Sequence, residues 1–81
     1  MFKNRTSNHR NNICGINIAR LRKSVRISQR ELADRLQNIG LDIDKNAVQR
    51  IESGQRFITD IEIGYFAKLF EVTIAELLDQ K

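Results

Sequence analysis

Lys45, Asn46, Gln49 and Arg50 share one chemistry: each carries a long side chain with several hydrogen-bonding atoms, and all lie between Asp44 and Gly54. Val48 and Ile51 fall three apart in the same stretch and mark an inward helical face, which leaves those four polar residues on the opposite, solvated side. Lysine and arginine donate to guanine O6 and N7, and asparagine or glutamine pairs bidentately with adenine. Four such groups on one flank of a short rod suit the edges of bases in a DNA groove. Lys45 adds to this reading. A cation in the first turn opposes the helix macrodipole by about 0.5 kcal/mol, so its placement points to a role outside the fold.

The rod needs a scaffold, and the sequence marks where its parts begin. Ser28 with Glu31, Thr59 with Glu62, and Thr73 with Glu76 each have capping-box spacing, in which two side chains satisfy two orphaned backbone N–H groups. Asp44 is the expected N-cap of the rod, and Gly54 the residue that ends it in a left-handed conformation. Helix patterns are expected over about 15–24, 29–37, 45–53, from Thr59, and from Thr73 to Leu78. Inward positions are Ile18, Leu21 and Val25 in the first, Leu32, Ala33 and Leu36 in the second, and Ile63, Phe66, Ala67 and Phe70 in the fourth. Phe66 and Phe70 read as core, and Tyr65 as exposed. Proline is absent and only four glycines occur, which favours an all-α domain of five helices.

With 81 residues, the chain holds one domain with a small core and no separate sensor. One cysteine and one histidine rule out a structural zinc site or a disulfide framework, so no metal and no cofactor are expected. His9 reads as solvated, and Cys14 as reduced. No run approaches the roughly 20 apolar residues of a membrane span, and no secretory leader is visible, which makes a soluble, cytoplasmic protein the expectation. No nucleophile–base pair, phosphate loop or carboxylate dyad suggests an enzyme. Residues 1–30 contain eight basic and no acidic residues, whereas the remainder has a net charge of −4. A field this uneven favours a polyanion on one side, although basic residues also serve simply to solvate a flexible arm over residues 1–11, ahead of a domain at 12–81.

Gly15-x-x-Ile18-x-x-Leu21-Arg22, Ser28-Gln29-x-Glu31-Leu32-Ala33, Val48-x-x-Ile51-Glu52-x-Gly54 and Ala67-x-x-Phe70-x-Val72 together resemble the lambda-repressor-like, Cro-type (XRE-like) helix-turn-helix family of phage and bacterial regulators. The resemblance covers about residues 14–78. It implies a five-helix domain that binds double-stranded operator DNA, usually as a two-fold homodimer, with the second helix of the pair in the major groove and its N-terminal residues at base edges. By position that role falls on Lys45, Asn46, Gln49 and Arg50. Gln29 matches the family position that meets a phosphate and braces the recognition helix, and Arg22 and Glu52 match a pair that joins the first helix to the third. Arg30, Gln55 and Arg56 are candidate phosphate contacts, and the basic arm is expected along the duplex or in a minor groove. Phe70, Leu77 and Leu78 are the expected dimer residues.

One stretch departs from the family. Its usual turn places the inward position of the third helix near Ile43, whereas here that position is Val48, so about five residues are extra within 37–43. Ile39, Leu41 and Ile43 alternate there, and are expected to fold back over the core while Gly40 turns the chain. The functional expectation is a sequence-specific DNA-binding regulator, a small repressor at a palindromic operator, with no small-molecule ligand. The alternative is a protein-binding module such as an antitoxin. An antitoxin is expected to add an extended segment, and a docking module has no use for four base-reading side chains.

Overall fold

Side-chain oxygens start the helices. Ser28 accepts a hydrogen bond from Glu31 N at 3.0 Å, Asp44 from Ala47 N at 2.8 Å, Thr59 from Glu62 N at 3.1 Å and Thr73 from Glu76 N at 3.0 Å. The computed structural model describes residues 5, 6 and 9–80. It contains α1 (Cys14–Ser24), α2 (Gln29–Asn38), α3 (Lys45–Ser53), α4 (Asp60–Phe70) and the single turn α5 (Ile74–Leu77), with no strand among the described residues. The all-α, five-helix architecture expected from the pattern is the one observed. At Thr59 and Thr73 the capping boxes are reciprocal. At Ser28 only half the box forms, because the Glu31 carboxylate accepts from Arg35 at 2.6 Å one turn on instead of returning to the cap.

The helices α1 to α4 also end alike. In each, one residue adopts a left-handed φ, and the next N–H returns to the carbonyl five residues earlier: Ile27 to Arg22 O at 3.3 Å, Leu41 to Leu36 O at 3.0 Å, Gln55 to Arg50 O at 2.9 Å and Val72 to Ala67 O at 3.0 Å. The left-handed residues are Arg26, Gly40, Gly54 and Glu71. Only two of them are glycine. This corrects the reading of Val25 as an inward position: Val25 lies on the turn, 52% exposed, and Ile27 points inward in its place.

Ile18, Leu32, Leu36, Val48, Ile51, Phe66 and Leu77 are fully buried and form the centre of the core, each contributing about 1.5–3 kcal/mol by leaving water. α3 packs on α1 and α2, and α4 and α5 close the other side. Leu41 and Ile43 of the lengthened turn are buried, with Ile39 packed alongside, so the extra residues do fold back over the core. The ring of Tyr65, half-buried rather than exposed, lies over Gly40. A single helical turn is not stable alone. α5 is held by buried Asn17 of α1, whose amide donates to Leu77 O and Asp79 O, each at 2.8 Å. Burial also pushes the Cys14 thiol up to about 11, which keeps it uncharged at neutral pH.

The arm expected over residues 1–11 is hydrogen-bonded to the helical body in its described portion, while residues 1–4, 7 and 8 lie outside the described residues. Thr6 and Arg10 form a tight turn, with Thr6 N donating to Arg10 O at 2.7 Å and Arg10 N to Thr6 Oγ1 at 3.0 Å. Asn11 N then donates to Gly54 O at 2.8 Å, fastening the chain to the end of α3. His9 is exposed. The physical reason is local: helix carbonyls at a C-terminus lack partners and attract donors.

Candidate nucleic-acid interface

α3 is oriented by its two anchors. With Val48 and Ile51 fully buried, helical geometry turns Lys45, Asn46, Gln49 and Arg50 outward, and all four are exposed. Among the described residues, their side chains make no hydrogen bond or ion pair. The Asp44 cap fixes the first turn, so Lys45 and Asn46 stand at the leading end of the rod with Gln49 and Arg50 one turn behind.

A second set of contacts fixes the rod. Arg22 Nε donates to Glu52 Oε2 at 2.7 Å and its Nη2 to Oε1 at 3.0 Å, while Nη1 reaches Ile27 O at 2.8 Å. Gln29 Nε2 donates to the same Oε1 at 3.0 Å. One carboxylate therefore ties α1, α3 and the start of α2 together. Gln29, at the N-terminus of α2, spends one amide hydrogen on this bracing contact.

The remaining candidates divide. Arg30 is exposed, with no hydrogen bond or ion pair among the described residues. Gln55 is exposed, and its carbonyl accepts from Asn11 Nδ2 at 3.0 Å. Arg56, expected on a phosphate, is instead forked onto Glu62, with Nη1 at 2.9 Å from Oε1 and Nη2 at 2.8 Å from Oε2, and it also donates to Phe57 O. Glu62 is the return arm of the Thr59 capping box, so this pair joins the loop after α3 to the start of α4. The hydrogen bond from Arg56 holds the Glu62 carboxyl below its usual range. A depressed folded pKa contributes stability above the unfolded value near 4.5, and that contribution is lost as pH falls through the folded value. The stability difference between the parent and Glu62→Gln is therefore expected to shrink as urea titrations move from pH 7 to below pH 4, and a constant gap contradicts the pairing.

Of the expected dimer residues, Leu77 is corrected. It is fully buried, because the short α5 turns it toward α1, whereas Leu78 is 42% exposed and Phe70 half-buried. Sequence reasoning also missed Arg10 and Asn12. Asn12 Oδ1 accepts from Gly15 N at 2.8 Å, and its amide donates to Ile51 O at 2.9 Å and Arg56 O at 2.8 Å. The local half of this was available, since asparagine three residues before Gly15 is a capping pattern.

Positive charge is less concentrated than its count suggests. Arg22, Arg35 and Arg56 are neutralised by Glu52, Glu31 and Glu62. Lys45, Arg50 and Arg30 remain exposed on α3 and the first turn of α2, without an acidic partner among the described residues.

Among the described residues, no group of acidic, histidine or cysteine side chains is arranged to hold a metal, and no helix is long and apolar enough to cross a membrane. No curated protein and no solved structure matches the chain. A family model described as helix-turn-helix does match, over residues 18–77 and thus about three quarters of the chain, including the whole of α2 and α3. With an exposed polar flank on a capped and braced α3, the chain belongs to the XRE-type, lambda-repressor- and Cro-like helix-turn-helix family of DNA-binding transcriptional regulators.

Proposed function

We propose that this protein is a sequence-specific repressor that occupies a palindromic operator as a homodimer in the cytoplasm, with Lys45, Asn46, Gln49 and Arg50 at base edges. The observation that carries this reading is the set of four exposed side chains on α3, free of partners among the described residues while the residues between them are anchored in the core. Gln29, Arg30 and Gln55 supply phosphate contacts around them, Gln29 while it braces Glu52.

Dimerisation follows from size. α3 has nine residues, which at about 1.5 Å per residue spans only a few base pairs. Two copies on half-sites about 34 Å apart give the selectivity that one lacks. Of the residues expected at that contact, Leu78 and the half-buried Phe70 remain accessible for it.

Selection of bound duplexes from a random pool, repeated at two salt concentrations, tests the proposal. The expected result is a two-fold symmetric consensus, bound with an affinity that falls steeply with salt. A pool that gains no consensus, with binding instead to a protein partner, favours the docking module and overturns the proposal.

A further inference from the structure

Arg10, Asn11 and Asn12 contact the end of α3 opposite Lys45. Arg10 Nη2 donates to Glu52 O at 2.7 Å and approaches Ile51 O at 3.4 Å. Asn11 holds Gly54 O and Gln55 O, and Asn12 holds Ile51 O and Arg56 O. Three consecutive residues thus satisfy five of the six carbonyls from Ile51 to Arg56, in the last turn of α3 and the loop that follows it. Arg10 makes no ion pair among the described residues, and its Nε is buried without a partner. Its charge faces helix carbonyls, where the macrodipole is negative.

The space for this guanidinium is cut by two glycines. A Cβ on Gly54 would lie 2.8 Å from Arg10 Cζ, and one on Gly15 would lie 2.7 Å from Arg10 Nη2. Arg10 therefore sits in a slot between α1 and the end of α3, directed inward rather than toward a ligand.

We infer that residues 10–12 form a brace that fixes the tilt of α3 and the path of residues 54–56, with Arg10 as a positioning residue for base recognition. This rests on the DNA-binding reading and assigns Arg10 a different role from an arm that follows the duplex. Groove-reading side chains must be held within a fraction of an ångström, and the Asp44 cap fixes only one end of the rod. The brace, together with the Arg22–Glu52 pair, fixes the other end.

The test compares the parent with Arg10→Met, Arg10→Lys and Asn11→Ala on the duplex selected from the random pool and on an unrelated duplex, across a salt series, at a temperature where each is folded. Arg10→Met is expected to weaken binding to the selected duplex about tenfold, while binding to the unrelated duplex and the salt slope stay unchanged. Arg10→Lys, which keeps a cation at the carbonyls, recovers part of the discrimination. Loss on both duplexes together, with the slope reduced by about 0.9, makes Arg10 a phosphate contact and overturns the inference. Unchanged discrimination overturns it as well.

If Arg10→Met does not fold, Asn11→Ala decides, because its amide is a surface contact. Reduced discrimination supports the brace, and parental discrimination contradicts it. Amide exchange at Asn11 separates the inference from the reading beneath it. If the parent selects no DNA sequence, the DNA reading fails, and with it the role assigned to Arg10. Faster exchange in Arg10→Met still reports that the contact to α3 exists.

Discussion

Glu52→Ala is expected to lower the unfolding free energy by about 3 kcal/mol, a large part of the roughly 4–12 kcal/mol available to a chain of 81 residues. The pair it breaks is almost out of water, with Arg22 13% and Glu52 7% exposed in their side chains. Removing the carboxylate leaves a guanidinium whose Nη1 remains fixed to Ile27 O, and it strips Gln29 of its partner. The charge then has neither water nor an anion to stabilise it. Thermal unfolding should show a midpoint about 12 °C or more lower. Joint replacement, Arg22→Met with Glu52→Leu, should recover most of the loss, because an apolar pair of similar volume carries no uncompensated charge. An unchanged midpoint in Glu52→Ala reduces the pair to a surface contact.

Gly15→Ala is expected to destabilise by about 2–3 kcal/mol, opposite in sign to helix propensity, which favours alanine by about 0.5–1 kcal/mol. Gly15 lies in the first turn of α1, where its Cα meets the backbone of α3. An added methyl lands on the Ile51 carbonyl oxygen and comes within 2.6 Å of Asn12 Oδ1. α1 cannot back away cheaply, since Arg22 binds it to Glu52 one residue beyond Ile51. Gly64 supplies the control, because nothing lies within 4 Å of a Cβ built there; Gly64→Ala in α4 should stabilise by about 0.5–1 kcal/mol. Urea unfolding of the two variants measures both. A Gly15→Ala protein as stable as the Gly64→Ala protein contradicts the close approach of α1 and α3.

The starts of α2 to α5 were legible because capping is a short-range chemistry: an oxygen three residues ahead of its N–H donor is visible in the sequence itself. The outward flank of α3 was legible for a similar reason, since Val48 and Ile51 are strongly apolar and three apart. The helix ends were only half legible. Gly40 and Gly54 announce left-handed turns, but Arg26 and Glu71 adopt the same conformation without announcing it, which is why Val25 was read inward. Among the site residues, Arg22 and Glu52 came from the resemblance and not from local pattern, as 30 residues separate them.

Contacts to backbone carbonyls left no trace in residue types. The bonds from Arg10, Asn11 and Asn12 reach peptide oxygens 39 to 44 residues away, and any residue there presents the same oxygen. Arg56 hid its ion pair for a related reason. Its partner Glu62 lies only six residues on, but across a loop whose path depends on the anchoring of Asn12 to Arg56 O. Leu77 and Leu78 are neighbours of one type, and the docking of α5 by Asn17 decides which of them turns inward.

Base reading by the outward flank of α3 is the proposal on which the function rests. It is tested most directly by repeating the random-pool selection with Lys45→Ala and Asn46→Ala, after circular dichroism has shown unchanged helicity. Each substitution removes donors worth about 1–3 kcal/mol of discrimination at one base pair, so each variant should lose preference at its own symmetric position of the consensus and keep the rest. Both variants recovering the parental consensus, position for position, would place the readout elsewhere on the molecule.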